Sequence, residues 1–283
     1  MSIKLDGKLV ADQLKNQIKA EVDDLLARGE RQPCLAVILV GDNPASQIYV
    51  RNKIKACEKT GIKSCEYRLE ADCDSQQVFD LIAKLNAHAA IDGILCQLPL
   101  PEQIDEQAVL EAIDPAKDVD GFHPVNAGKL FLGLPAVAPC TPAGIIEILD
   151  YYKYPYDGKK AVVISRSNIV GKPMAQLLLK KNCTVTIAHS HTQNLAELCR
   201  EADLLVTGVG RLNFIDKNFV NSEQFLIDVS INRDDDGKVH GDVVMSEVEP
   251  LVKAITPVPG GVGPMTIAML LKNTLQLYRE HNG

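Results

Sequence analysis

Tyr49 and Lys53 stand four residues apart in Tyr49-Val50-Arg51-Asn52-Lys53, early in a segment with helical spacing. Side chains four apart share one face of a helix, so a phenol ring and an amine are presented together. The amine is a candidate acid or base. A solvated lysine with a tyrosine packed on its stem is the plainer alternative. Two other segments argue for more than that. Gln97-Leu98-Pro99-Leu100-Pro101 directly follows a short buried strand, which puts Gln97 at the C-terminal end of a sheet strand, where open α/β sheets bind ligands. Asp118-Val119-Asp120-Gly121-Phe122 is an acidic loop without helical periodicity, whose carboxylates are either ligands for N–H groups or solvated loop acids. Thr256-Pro257-Val258-Pro259-Gly260-Gly261-Val262-Gly263-Pro264-Met265-Thr266 holds three glycines and three prolines in eleven residues. Such a loop is stiff and exposes its backbone, and it leads into a helix whose N-terminus can meet a ligand.

A second constellation concerns phosphate. Val162 to Pro173 reads as a strand, a tight loop and a helix start, the place where a Rossmann-type fold holds a pyrophosphate against free N–H groups. It is not the full glycine fingerprint: Gly171 is present, but Ser165 stands where the first glycine is expected. An ordinary strand-to-helix loop is the alternative. The next strand ends at Ala188-His189-Ser190-His191-Thr192. An NAD enzyme usually carries Asp or Glu there for the ribose hydroxyl. Here the position is neutral or weakly basic and Arg166 lies in the preceding loop, a combination that favours a 2′-phosphate and so NADP over NAD. His189 and His191 have no third ligand in view, so no metal site is expected.

The elements that position these groups follow from apolar spacing. Leu9, Leu14, Ile18, Val22, Leu25 and Leu26 mark a first helix stopped by Gly29. Cys34–Val40 is a buried strand, and Gly41 to Pro44 a turn. Ser46 is the expected cap of a second helix ending near Gly61. Lys63–Leu69 is a strand, Asp74 or Ser75 opens a third helix, and Ile91–Cys96 is another buried strand. Thr141-Pro142 is read as cap and first-turn proline of a helix through about Tyr152. A second alternation follows: strands at Ala161–Ile164, Thr184–Ala188, Leu204–Thr207 and Phe225–Val229, a helix at about 171–182, a hairpin turn at Asp235-Asp236-Gly237 and a final helix at about 264–280. Alternating strands and helices predict an α/β fold with parallel sheets, in two domains meeting near the Gly133–Pro142 stretch.

Composition bounds the function classes. Of 283 residues 46% are apolar and 24% charged, as in a soluble globular protein. Apolar runs reach about seven residues, short of the roughly 18 that span a bilayer, and the N-terminus has no signal-peptide core. A cytoplasmic protein without a membrane partner is expected. The net charge of −7 and the lack of a basic stripe argue against nucleic acid. The eight cysteines form no C-x-x-C pair and are expected to be reduced, mostly buried thiols.

Taken together, Tyr49-Val50-x-x-Lys53, Gln97-Leu98-Pro99-Leu100-Pro101, Lys117-Asp118-Val119-Asp120-Gly121 and Pro257 to Thr266 closely resemble the bifunctional methylenetetrahydrofolate dehydrogenase/methenyltetrahydrofolate cyclohydrolase family, and the likeness runs from Leu5-Asp6-Gly7 to the last helix. The resemblance implies an N-terminal α/β catalytic domain (1–140 plus 260–283), a Rossmann-type NADP-binding domain (141–259) and an active-site cleft between them. It implies a folate site of Tyr49, Lys53, Gln97, Leu98, Asp120, Pro259, Gly260, Gly261 and Val262. In that site Lys53 is the catalytic lysine, Gln97 supports it, Tyr49 stacks on the folate and Asp120 holds the pterin. It implies cofactor contacts at Ser165, Arg166, Ser167, Ile169, Val170, Ser190 and Ile231, tetrahydrofolate derivatives as substrates, and a homodimer. Two residues depart from the family, which usually has glycine at Ser165 and at Ser230. A side chain at either place is expected to crowd the cofactor or to force a different backbone angle.

The residue chemistry is consistent with those roles. Adding water to the methenyl carbon needs a base, and an ordinary lysine is nearly all protonated at neutral pH. The methenyl intermediate is itself a cation. Two unit charges about 4 Å apart repel by about 4 kcal/mol at an effective dielectric of about 20, which favours the neutral amine while the intermediate is bound. Gln97 can orient that amine without adding negative charge. Hydride passes directly from folate to nicotinamide, so Lys53 serves the second reaction. A different two-domain NADP-dependent dehydrogenase, of the shikimate dehydrogenase kind, would need no Tyr49/Lys53 and Gln97-Leu98-Pro99 pairing. A catalytically silent cofactor-binding protein would have no reason to keep Lys53, Gln97 and Asp120 together.

Overall fold

A computed structural model describes residues 2–282. The chain forms two compact units. One comprises Asp12–Lys129, Pro135–Ala138 and the residues from Ile267 onward; the other comprises the residues up to Ala11, Leu130–Leu134 and Pro139–Thr266.

The first unit is built on a three-stranded parallel sheet in the order Lys63–Leu69, Cys34–Val40, Gly93–Cys96. All seven residues of the central strand are buried, as its unbroken apolar run requires when both faces are covered. The edge strand Lys63–Leu69 alternates towards exposure. Ala36, Ile38 and Ile94 pack with Val78, Ile82 and Val109 from flanking helices in one core. The helix Pro44–Thr60 starts earlier than expected. Asn43, not Ser46, is its cap: the Asn43 Oδ1 accepts the amides of Ala45 and Ser46 at 3.0 and 3.1 Å. Pro44 at the first position commits the chain to the helix before Ser46 is reached. The next helix, Ser75–Asn86, opens on Asp74 with a reciprocal Gln77 capping box, as the sequence predicts.

The second unit holds a six-stranded sheet, parallel throughout, in the order Ile3–Lys4, Ala254–Ile255, Phe225–Asp228, Leu204–Thr207, Lys160–Ile164, Thr184–Ala188. The helix Gly171–Lys180 follows the Lys160–Ile164 strand, and an antiparallel hairpin joins Asn232–Arg233 to Val239–His240 through Gly237 (φ 77°). Two segments expected with the folate part pack in this unit instead. Residues 2–11 do so because Ile3–Lys4 is an edge strand hydrogen-bonded to Ala254–Ile255 and Leu5 is fully buried. Residues 260–266 do so because the Gly260 carbonyl accepts the Lys8 amide at 2.9 Å. The helix Cys140–Tyr151 begins before Thr141, without a side-chain cap; the Thr141 hydroxyl is engaged with the Thr266 hydroxyl at 3.2 Å. The last helix is longer than expected, Val262–Asn282. Cys65 is half-buried and the other seven cysteines are buried, and none of the eight forms a disulfide.

Candidate active site

In the first unit the Gly93–Cys96 strand pairs in register with the middle strand, Ile38 beside Cys96. The next amide, Gln97 N–H, continues that ladder to the Ile38 carbonyl at 2.9 Å. Gln97 is therefore fixed at the C-terminal end of the sheet. Its side chain is held at both ends: Nε2 donates to the Leu98 carbonyl at 2.7 Å, and Oε1 accepts from Lys53 Nζ at 2.9 Å. The first bond settles which end of the amide faces the amine, and it faces it as an acceptor. Lys53 is half-buried on the Pro44–Thr60 helix, one turn beyond Tyr49, which is 47% exposed. Forty-four residues separate Lys53 from Gln97 in the chain, so the sequence motif and the strand-end motif form one site. Leu98 is half-buried beside them, and its peptide to Pro99 is cis.

The acidic loop splits into two roles. Asp118 is buried and accepts the Gly121 and His123 amides at 3.0 and 2.8 Å and the Asn126 side chain at 2.9 Å. It folds the loop and is neither a solvated acid nor a ligand group. The Lys117 carbonyl accepts Ile94 N–H at 2.7 Å, which lays the loop along the Gly93–Cys96 strand. The Lys117 amine donates to the carbonyls of Leu85, Asn86 and His88, and burial lowers its pKa from the ordinary lysine value. Asp120 remains half-buried. It lies close enough to the strand end that its charge adds to burial in pushing the Cys96 thiol up to about 12. Lys53, Gln97 and Asp120 thus belong to the same end of one sheet.

In the second unit a cavity of about 160 Å³ is lined by residues including Val229, Ile231, Val258, Pro259, Gly260 and Val262. The Pro257-to-Pro264 loop is shaped by backbone needs. Val258–Pro259 is cis and Gly260 has φ 103°. A methyl group on Gly7 would overlap the Gly261 carbonyl oxygen, which is why glycine stands where the chain start meets this loop. Pro259, Gly260, Gly261 and Val262 therefore line a cavity in the unit that carries the nucleotide loop.

That loop follows the Lys160–Ile164 strand. Ser167 organises it: its hydroxyl accepts the amides of Val170 and Gly171 at 3.1 and 3.3 Å and lies 3.2 Å from the Ser165 hydroxyl. Gly171 is required because a methyl group there would overlap the Ser165 carbonyl. It lets the helix start press against the strand end, which is the closeness a pyrophosphate cradle needs. The helix has no side-chain cap at Val170. Arg166, Ser167, Ile169 and Ser190 are exposed. An exposed arginine beside a tight strand-to-helix loop, with no acid at the neighbouring strand end, fits a dinucleotide phosphate. Neither Ser165 nor Ser230 has a positive φ, so no unusual backbone angle is forced. The Ser230 hydroxyl points inward, donating to Asp242 at 2.8 Å and accepting the Gly210 amide at 3.0 Å.

Asp242, overlooked in the sequence, is wholly buried and is the acceptor for five donors. Its only visible signal is an acid directly after Gly241 before an apolar residue, a pattern too common to single out.

The family profile for the tetrahydrofolate dehydrogenase/cyclohydrolase catalytic domain matches residues 5–120, and that for the NAD(P)-binding domain of the same family matches residues 139–282. The bifunctional protein FolD of Maridesulfovibrio salexigens is 54% identical over 283 residues, covering 99% of each chain. Among solved structures, the bifunctional FolD enzyme of Campylobacter jejuni superimposes with a TM-score of 0.97 at 46% identity over 99% of each chain. The FolD of Trypanosoma brucei, solved with NADP cofactor and inhibitor, gives 0.93 at 34% identity over 99% of this chain and 98% of that one. With both domains matched and a relative more than half identical from end to end, this chain belongs to the tetrahydrofolate dehydrogenase/cyclohydrolase family.

Proposed function

We propose that this chain oxidises 5,10-methylenetetrahydrofolate to the 5,10-methenyl cation with NADP and then hydrolyses that cation to 10-formyltetrahydrofolate. The observation that carries the reading is the 2.9 Å bond between Lys53 Nζ and Gln97 Oε1, in a chain of this family. NADP, when bound, accepts the hydride. Arg166 and Ser190 hold its 2′-phosphate, the 165–171 loop its pyrophosphate, and Ile231 its nicotinamide side. Tyr49 stacks on the folate and Asp120 accepts the pterin N–H groups, two hydrogen bonds to one carboxylate. Leu98 and the Pro259–Val262 segment complete the folate contacts. Lys53 takes a proton from the water that attacks the methenyl carbon; the ring then opens as the carbon–N5 bond breaks and N5 gains a proton. Gln97 aims the amine without adding charge.

Tetrahydrofolate derivatives are the substrates, and the protein works as a cytoplasmic homodimer. Among the described residues no helix is long and apolar enough to cross a membrane. Sedimentation should give twice the chain mass; a single-chain mass at working concentration rules the dimer out. The decisive test of the chemistry is Lys53→Met. Methenyl hydrolysis should fall by at least about a hundredfold, the lower range for a general base, with an unchanged circular dichroism spectrum. Appreciable residual hydrolysis removes Lys53 as the base.

A further inference from the structure

The sheet of the second unit ends, on the side of the nucleotide loop, in two loops that follow adjacent parallel strands: Thr207 to Arg211 after Leu204–Thr207, and Val229 to Asn232 after Phe225–Asp228. Both converge on one carboxylate. Asp242 Oδ2 accepts the Thr207 hydroxyl, the Val209 amide and the Ser230 hydroxyl, each at 2.8 Å. Its Oδ1 accepts the Arg211 amide at 2.9 Å and the Asn232 side-chain amide at 3.2 Å. Ser230 also accepts Gly210 N–H, tying the loops to each other. Asp242 is fully buried. A buried carboxylate is costly unless its lone pairs are filled. Here five donors fill them, so the loop positions are overdetermined.

The consequence falls on Ile231. Its two chain neighbours, Ser230 and Asn232, are both drawn inward to Asp242, and Ile231 between them is left 53% exposed on the cavity wall. We propose that Asp242 is a positioning residue for NADP: by holding Ser230 and Asn232 it fixes Ile231 at the cofactor, with Ser230, the departure from the usual glycine, as part of the anchor. This rests on the reading of Ile231 as a cofactor contact. Hydrolysis of the methenyl cation uses no nicotinamide, so the protein carries its own internal reference.

The test is NADP affinity by isothermal titration calorimetry beside methenyl hydrolysis, for Asp242→Asn and Ile231→Ala in the full chain. Asp242→Asn keeps the size but turns an acceptor into a donor facing other donors. Its NADP Kd should rise about tenfold or more, about 1.4 kcal/mol, with hydrolysis within about threefold of the parent, a change worth about 0.7 kcal/mol. An unchanged Kd overturns the proposal, as does a fall in hydrolysis that matches the loss of affinity, since that marks general damage. If Asp242→Asn does not fold, Ser230→Ala combined with Asn232→Ala removes two of the five bonds and must still raise the Kd; an unchanged value overturns the proposal. Ile231→Ala separates the two levels. Should it leave NADP binding intact, the reading of Ile231 falls and the proposal with it. Should it weaken binding while Asp242→Asn does not, only the proposal falls.

Discussion

A neutral amide is what distinguishes the Lys53 environment from an ordinary ion pair. Gln97 Oε1 accepts from the amine at 2.9 Å and brings no charge. A carboxylate in its place would favour the charged amine, which cannot take a proton from water. Gln97→Glu should therefore slow methenyl hydrolysis by about tenfold or more, a part of the roughly 10²–10⁴-fold that a general base supplies, and move its pH profile to higher pH. A profile that stays put would mean that the lysine is not the titrating base. Arg166 permits a second residue-level prediction. It is exposed, and no acid stands at the Ala188 strand end. Arg166→Ala should remove a charged hydrogen bond to the 2′-phosphate worth about 1.5–3 kcal/mol, weakening NADP by about tenfold or more while NAD binding changes little. Equal losses for both cofactors, measured by titration, would show that Arg166 does not read the phosphate. At this scale the sequence was informative about residue type and poor about role. Lys53 and Gln97 could be named from their motifs and paired through the family resemblance, but which end of the Gln97 amide meets the amine required the fold. Asp118 and Asp120 looked alike, and only the three donors on Asp118 separate the loop-former from the half-buried acid.

Elements carry the next prediction. The Gly171–Lys180 helix begins against the end of the Lys160–Ile164 strand, and the contact is backbone to backbone. A methyl group at Gly171 would overlap the Ser165 carbonyl and lie 2.8 Å from Arg166 N. Neither atom can yield cheaply. Gly171→Ala should cost about 1–3 kcal/mol, as overpacking does, and weaken NADP by drawing the helix start away from the loop. Urea denaturation and cofactor titration check both parts; an alanine variant as stable and as tightly binding as the parent would show that the close approach is dispensable. Strands with strong signals were legible to the residue: Cys34–Val40, Lys63–Leu69 and Thr184–Ala188 run as expected. Ile3–Lys4 and Ala254–Ile255 were not, because two residues carry no periodicity and form strands only through their partners. The helices Glu106–Ala112 and Pro124–Phe131 were missed for a related reason, being too short to show a stripe. Helix starts failed where a nearer cap won, Asn43 over Ser46, or where a threonine was bonded elsewhere, as Thr141 is to Thr266.

For the molecule as a whole, the division into units shows what sequence order hides. The first residues belong to the sheet that otherwise lies past residue 139, a long-range pairing that no local pattern announces. The same sheet holds the group that should shape stability against pH. Asp228 ends the Phe225–Asp228 strand, 2% exposed, with Asp242 nearby. Burial, with the neighbouring Asp242 charge adding to it, pushes its carboxyl from 3.8 up to about 6, although the amides of Ser230, Asp242 and Val243 oppose the shift. A carboxyl raised on folding holds its proton more tightly in the native state than in the unfolded chain. Its contribution to stability is thus fully present below the unfolded value of 3.8 and is lost as pH rises through about 6. At about 1.36 kcal/mol per pH unit the loss is about 3 kcal/mol. Asp228→Asn cannot titrate, and any fixed cost of the amide is the same at every pH. The stability of the parent minus that of Asp228→Asn, from urea denaturation, should therefore fall by about 2.4 kcal/mol between about pH 4 and about pH 7, most of the full loss. A difference that is flat over that window, or that rises, would mean that the three amide donors outweigh burial and that Asp228 is held as an ordinary carboxylate.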